Sequence, residues 1–305
     1  MSDLILFHPV RSLDNKLLLP AGTKLSADII NDLISDARNV SYKKYSMLQH
    51  STIRKDILDF LTVPPYNVIF SDNKLIDDLL NFMGNVHLIS PVIQSLDYFK
   101  ENDFYTYRHI LNVFALCVYI SKVMMSDHWV RLNEAASGPM HDIGKISVPL
   151  NILKKVSPLS HEERSIVEHH SVAGYILLSY YSQDAGSIFA GIARDHHERR
   201  DGSGYPRGIK LNDHLVEVIA ICDVFDALIS DRPYRSAAYD NRTAIEVITE
   251  MGEKNILNRE VIRALVSINR KVETHFSDCE VSLEKRGKPP LYNSYGVFEN
   301  NNKKL

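Results

Sequence analysis

From residue 71 to residue 269 the apolar side chains recur at three- and four-residue intervals, in segments opened by capping residues, and a chain with that period hides its apolar surface as a stack of helices. The spacing predicts helices over 75–83, 86–99 with a bend near Pro91, 104–125, 127–142, 160–180, 183–197, 216–229, 239–251 and 259–269. Ser160 and Glu163 form a capping box at the head of the fifth, and 202–208 reads as a glycine-rich loop. There are only 13 glycines in 305 residues. That is about 4% against about 7% in an average protein, which counts against a glycine-rich all-β or doubly wound nucleotide-binding architecture.

The first residues read differently. Residues 4–7 and 16–19 are short extended pieces stopped by Pro9 and Pro20, with Asn15 as turn chemistry between them. Ser26 then caps a helix whose apolar positions are Ile29, Ile30, Leu33 and Ile34, with Asp28 in its first turn. Residues 38–70, polar or tyrosine-rich and containing Pro64-Pro65, read as a loosely packed connection. The expected fold is mainly α: a small mixed α/β N-terminal module over 1–85, an all-helical C-terminal domain over 86–285 and a flexible tail over 286–305.

Several function classes drop out. A formal charge of −3 supplies no general polyanion-binding surface, so no DNA partner is expected and phosphate contacts must come from a few placed Lys and Arg. Cys117, Cys222 and Cys279 have no paired spacing, which suits a reducing compartment. Asp3 stands where a secretory signal would be basic, and the longest apolar run, 110–125, is interrupted by Asn112, Ser121 and Lys122. A cytoplasmic protein without membrane insertion is expected.

The chemistry concentrates in five of the 13 histidines and two aspartates. His109 opens the long apolar helix, His141-Asp142 closes the next, His170 lies in the capped helix, His196-His197 is a doublet, and Asp223 sits in the run Ile219–Phe225. Burying so many ionisable groups without a metal would cost several kcal/mol for each unpaired one, about the price of an orphaned polar group in a core. Mixed imidazole and carboxylate donors suit iron, manganese, zinc or nickel better than magnesium or calcium, and the lack of a cysteine cluster counts against structural zinc. Two divalent transition-metal ions, iron or manganese before zinc or nickel, need one shared carboxylate, and Asp142 is the natural bridge. Paired ions about 3.5–4 Å apart clamp a phosphoester and activate water.

These motifs resemble the HD-GYP family of the HD hydrolase superfamily. The resemblance rests on His141-Asp142-Ile143-Gly144-Lys145, on His170-Ser171-Val172-Ala173-Gly174, on the run from His196-His197-Glu198 through Gly204-Tyr205-Pro206, on Asp223-Val224-Phe225-Asp226-Ala227-Leu228, and on Asp231-Arg232-Pro233-Tyr234-Arg235. It covers about residues 100–270. It implies an HD-type helical domain that hydrolyses the bacterial messenger cyclic di-GMP to linear pGpG, with onward cleavage to GMP left open. It further implies His109, His141, Asp142 and Asp223 around one ion and Asp142, His170, His196 and His197 around the other. Lys145 would contact the scissile phosphate beside Asp142, Arg232 and Arg235 would receive phosphates, and Tyr205 would offer its ring to guanine. Asp226, one turn from Asp223, is expected to support a ligand rather than to be one.

The chain also departs from the family. Tyr105 stands where some members carry a glutamate for a third ion, so two ions are expected. Gly138-Pro139 should kink or end the helix just before the His-Asp pair, and Lys155-Val156-Ser157-Pro158 replaces a Lys-Pro-Gly turn, so weak activity is an open outcome. The run from Leu18 to Leu25 resembles small modules that precede such domains, which suggests regulation or protein partners docking there or on the Gly204-Tyr205-Pro206 loop. Two other readings stay open: a hydrolase for another phosphoester, and a metal-containing signalling module that binds nucleotide or protein with little or no turnover.

Overall fold

The computed structural model describes residues 4–37, 41–125, 127, 138–231, 237–270 and 275–290. Among them the chain is mainly helical, as the period predicts: α1 Ala27–Ala37, α2 Ile53–Leu61, α3 Asn73–Met83, α4 Ser90–Asn102, α5 Phe104–Met124, α6 Leu150–Leu153, α7 His161–Glu168, α8 His170–Ser182, α9 Ile188–Asp195, α10 His214–Ile229, α11 Asn241–Glu253 and α12 Arg259–Ile268. Two antiparallel ribbons complete it. The first pairs β1 Val10–Arg11 with β2 Leu17–Leu19, and the second pairs β3 Lys44–Ser46 with β4 His87–Ile89.

The helices that carry the site are apolar on almost every face and therefore lie inside the bundle. In α5 burial runs from His109 through Val118, and in α8 and α10 nearly every residue is buried. Each start has a local cause. Asp103 accepts from the Thr106 amide at the head of α5, Asp213 accepts from the Leu215 and Val216 amides at the head of α10, and Ser160 with Glu163 makes the expected capping box on α7.

Several expectations need correction. Residues 41–70 are packed rather than loose: Met47, Ile53, Ile57, Leu61, Tyr66 and Phe70 are buried, because 53, 57 and 61 share one helical face that the intervening charges disguise. Asp56 fastens α2 to its neighbours, holding Lys100 Nζ at 2.6 Å and accepting from Tyr107 Oη at 2.6 Å. Residues 87–89 are strand β4, not helix, and Pro91 sits in the first turn of α4, where its missing N–H is no loss and no bend results. The expected helix over 127–142 falls largely outside the described residues; from Gly138 onward the chain makes two 3₁₀ turns, Gly138–Met140 and Ile143–Ser147, in place of α-helix. A side chain at Gly138 would come within 2.8 Å of the Phe114 backbone, which explains the glycine there. The helix over 160–180 breaks at His169, and that over 183–197 begins only at Ile188, since Gln183 is left-handed at φ 56° and ends α8. In the described part of the tail, the Arg286 and Gly287 amides bond to Glu246 on α11 at 3.0 and 2.9 Å.

Candidate metal centre

Four pieces of chain meet at Asp142: the second turn of α5, the His-Asp turn, the start of α8 and the end of α9. Glycine makes the meeting possible. A Cβ at Gly144 would fall 1.9 Å from the His170 carbonyl oxygen, so only glycine lets the His-Asp turn press onto the head of α8.

Asp142 is 1% exposed and turns one oxygen to each side. Its Oδ1 lies 3.3 Å from His170 Nε2 and 3.9 Å from His196 Nε2, while Oδ2 lies 3.3 Å from His109 Nε2 and 3.4 Å from His141 Nε2. Asp142, His170, His196 and His197 offer converging donor atoms, as do His109, His141 and Asp142. Asp223, from α10, places Oδ1 3.3 Å from His109 Nε2 and Oδ2 3.7 Å from His197 Nδ1, so it reaches toward both groups rather than one.

The ring tautomers follow from their partners. A carbonyl only accepts, so His141 Nδ1–H donates to the Gly138 carbonyl at 2.6 Å, His170 Nδ1–H to Val167 at 2.5 Å and His196 Nδ1–H to Ala193 at 2.9 Å. Each Nε2 lone pair is thereby left facing the centre, the arrangement of metal-ligating imidazoles. His109 is oriented by a side chain instead, its Nδ1 lying 2.6 Å from Asp226 Oδ2. Asp226 Oδ1 also accepts from Tyr66 Oη, from Asn112 Nδ2 at 3.1 Å and from Ser230 Oγ at 3.0 Å.

Charge fits a cation here. Burial, then the neighbouring imidazoles, hold His196 and His197 far below their usual range and hence neutral, the form that ligates. Burial works against ionised Asp142, but Lys145 and His141 outweigh it and keep its carboxyl well below the usual range. Burial would likewise lower His109, yet the surrounding carboxylates of Asp226, Asp142 and Asp223 push it well above. The site therefore calls for positive charge at that point, whether from a proton or a metal ion.

Lys145 Nζ stands 2.5 Å from Asp142 Oδ2 and is the cationic group at the His109 side of the bridge. The Tyr205 ring stacks on His197, centroids 4.6 Å apart at 23°, so one of its faces is already covered. A Cβ at Gly204 would lie 2.3 Å from the His197 carbonyl oxygen, which is why the loop needs glycine to cross there. Arg232 and Arg235 lie outside the described residues.

Two contributors escape the sequence reading. Glu198, wholly buried, accepts from the Arg207 and Ile209 amides at 2.7 and 3.0 Å and fixes the far end of the Tyr205 loop. Its only signal was an acid directly after the histidine doublet. Tyr66 comes from the stretch read as a connection and had no signal at all. Of the histidines outside these motifs, His169 is buried edge-on to His8 at 5.4 Å, while His87 and His161 are exposed.

Residues 89–261 match the HD domain family. The chain is 35% identical over 185 residues to a cyclic di-GMP phosphodiesterase of Thermotoga maritima, covering 59% of this chain and 50% of that protein. It is 34% identical over 214 residues to a cyclic di-GMP phosphodiesterase of Pseudomonas aeruginosa, covering 67% and 50%. It is 37% identical over 136 residues to a 3'3'-cGAMP-specific phosphodiesterase of Vibrio cholerae, covering 44% and 31%. The chain thus spans about half the length, or less, of these curated relatives. No described helix is long and apolar enough to cross a membrane.

Proposed function

The chain belongs to the HD domain family, with the motifs of its HD-GYP members, and from that premise we propose that it is a metal-dependent phosphodiesterase that opens cyclic di-GMP to linear pGpG in the cytoplasm. The observation that carries the proposal is the two-sided Asp142, with one oxygen toward His170 and His196 and the other toward His109 and His141. A carboxylate shared in this way suits two divalent ions, and the His-rich donor set suits iron or manganese before zinc or nickel.

His109, His141, Asp142 and Asp223 would hold one ion, and Asp142, His170, His196 and His197 the other. When bound, the pair supplies the charge that neutralises the phosphodiester and makes the attacking water acidic. The water oxygen bonds to phosphorus, the bond from phosphorus to a ribose oxygen breaks, and that oxygen takes up a proton. Lys145, only 17% exposed and beside Asp142, would hold a phosphate oxygen as its charge grows. Arg232 and Arg235 would hold the phosphates away from the reacting one, and the face of the Tyr205 ring opposite His197 would receive a base.

A second reading, hydrolysis of 3'3'-cGAMP, draws on the Vibrio cholerae relative. Anaerobically purified, metal-analysed protein should be incubated with each dinucleotide and the products separated by chromatography. Faster conversion of cyclic di-GMP to pGpG is expected. Preference for 3'3'-cGAMP would move the assignment to the second reading, and tight binding of either without turnover by the metal-loaded protein would make the chain a sensing module.

A further inference from the structure

Tyr66 lies upstream of the segment that matches the HD domain family, yet its side chain reaches the carboxylate behind His109. The way it gets there is fully built. Helix α2 ends at Leu61, Pro64-Pro65 turns the chain, and the 3₁₀ turn Tyr66–Val68 buries the ring to 2% exposure. Asn241 Nδ2 bonds to the Pro65 carbonyl at 3.2 Å, and the ring packs on Phe70, which packs on Tyr119 of α5.

The consequence lies in how Asp226 is loaded. Three donors, Tyr66 Oη, Asn112 Nδ2 and Ser230 Oγ, share Oδ1, so the carboxylate plane is fixed and Oδ2 is left aimed at His109 Nδ1. Of these donors, Asn112 and Ser230 lie on or at the end of the two helices that carry His109 and Asp226 themselves. Tyr66 alone comes from a separate upstream segment. We propose that Tyr66 is a positioning residue of the metal centre: by fixing Asp226 it keeps the His109 proton on Nδ1 and its Nε2 toward Asp142 and Asp223, so that residues 53–70 form part of the site rather than a detachable module. The proposal rests on the reading of His109 as a ligand.

The test uses the 305-residue chain, stripped of metal and titrated with Mn²⁺ by calorimetry. Four proteins are compared: wild type, Tyr66→Phe, His109→Ala and Ile57→Val. Tyr66→Phe keeps the ring and removes the hydroxyl. It should weaken one Mn²⁺ step roughly tenfold, the lower end for loss of a group supporting a ligand, and leave the other step alone. Ile57→Val, which trims a buried side chain of α2 and leaves the Tyr66 hydroxyl in place, should lower the melting temperature without moving either step. Tyr66→Phe titrating like wild type, or weakening both steps in parallel with a lost melting temperature as Ile57→Val would if packing governed affinity, overturns the proposal. His109→Ala should lose one step; if it too titrates like wild type, the ligand reading itself has failed rather than the role of Tyr66.

Discussion

The two sides of Asp142 are held by different means. On the side of His170 and His196, each ring is oriented by a main-chain carbonyl three residues earlier, at Val167 and Ala193, so the frame of each is local in sequence. On the side of His109, His141 is held in the same local way by the Gly138 carbonyl, but His109 itself is oriented by Asp226, 117 positions away, and Asp226 is in turn bonded to Tyr66, 160 positions from it. A local frame forms with its helix, whereas a long-range frame exists only once α2, α5 and α10 have docked. The second side should therefore be the more easily disturbed and the more open to adjustment from elsewhere in the chain.

Removing the residue common to both sides erases the difference between them. Asp142→Ala takes away the shared oxygens, so metal content and turnover should both fall to background while the helical signal in circular dichroism stays. Elemental analysis showing one ion retained would mean that the two sides bind independently. Lys145→Ala is the next largest. It should leave metal content near wild type and slow turnover roughly tenfold to a thousandfold, the range for one lost charge at a developing oxyanion. Metal loss confined to the His109 side in that variant would recast Lys145 as a support for Asp142.

Tyr205 belongs to the local side, since it lies on His197. Tyr205→Phe keeps the stack and should leave both metal content and cyclic di-GMP affinity near wild type. Tyr205→Ala should weaken dinucleotide binding by about 1–3 kcal/mol, as for loss of one base–aromatic stack. Titration of catalytically silent, metal-loaded protein with the dinucleotide reads this directly. An Ala variant that loses metal as well would show that the ring serves His197 more than the ligand.

What was legible in the chain follows the same division. The candidate ligands stood out because His and Asp interrupt runs that are otherwise apolar, and a buried helix makes such interruptions conspicuous. Asp226 was legible as a supporting group from its one-turn offset to Asp223. By contrast, the role of Tyr66 depends on a partner 160 positions away, and no local pattern encodes that. Gly144 reveals its purpose only when the His170 carbonyl arrives against it. The strand at 87–89 was hidden because a short apolar run reads equally well as helix or strand, and its pairing with 44–46 decides the matter.

The smallest effect separates tethering of α2 from the Tyr66 contact. Asp56 joins α2 to α4 and α5 through Lys100 and Tyr107. Burial tends to raise its carboxyl, but the bonds from Lys100, Tyr107 and Thr52 outweigh that and hold it below the ordinary value of 3.8. A carboxyl lowered on folding contributes stability that is complete above its unfolded pKa and is lost as pH falls through the folded one. Asp56→Asn should therefore cost about 1–3 kcal/mol in urea denaturation at pH 7, the scale for hydrogen bonds to a charged group. The gap from wild type should hold to about pH 5 and close below about pH 4. A gap that widens on acidification would reverse the sign and remove Asp56 as the anchor. At neutral pH the same variant should leave both Mn²⁺ steps unchanged, because the Tyr66 hydroxyl still reaches Asp226 in every folded molecule. If one step weakens along with stability, the long-range side depends on how firmly α2 is tied down as well as on the hydroxyl it delivers.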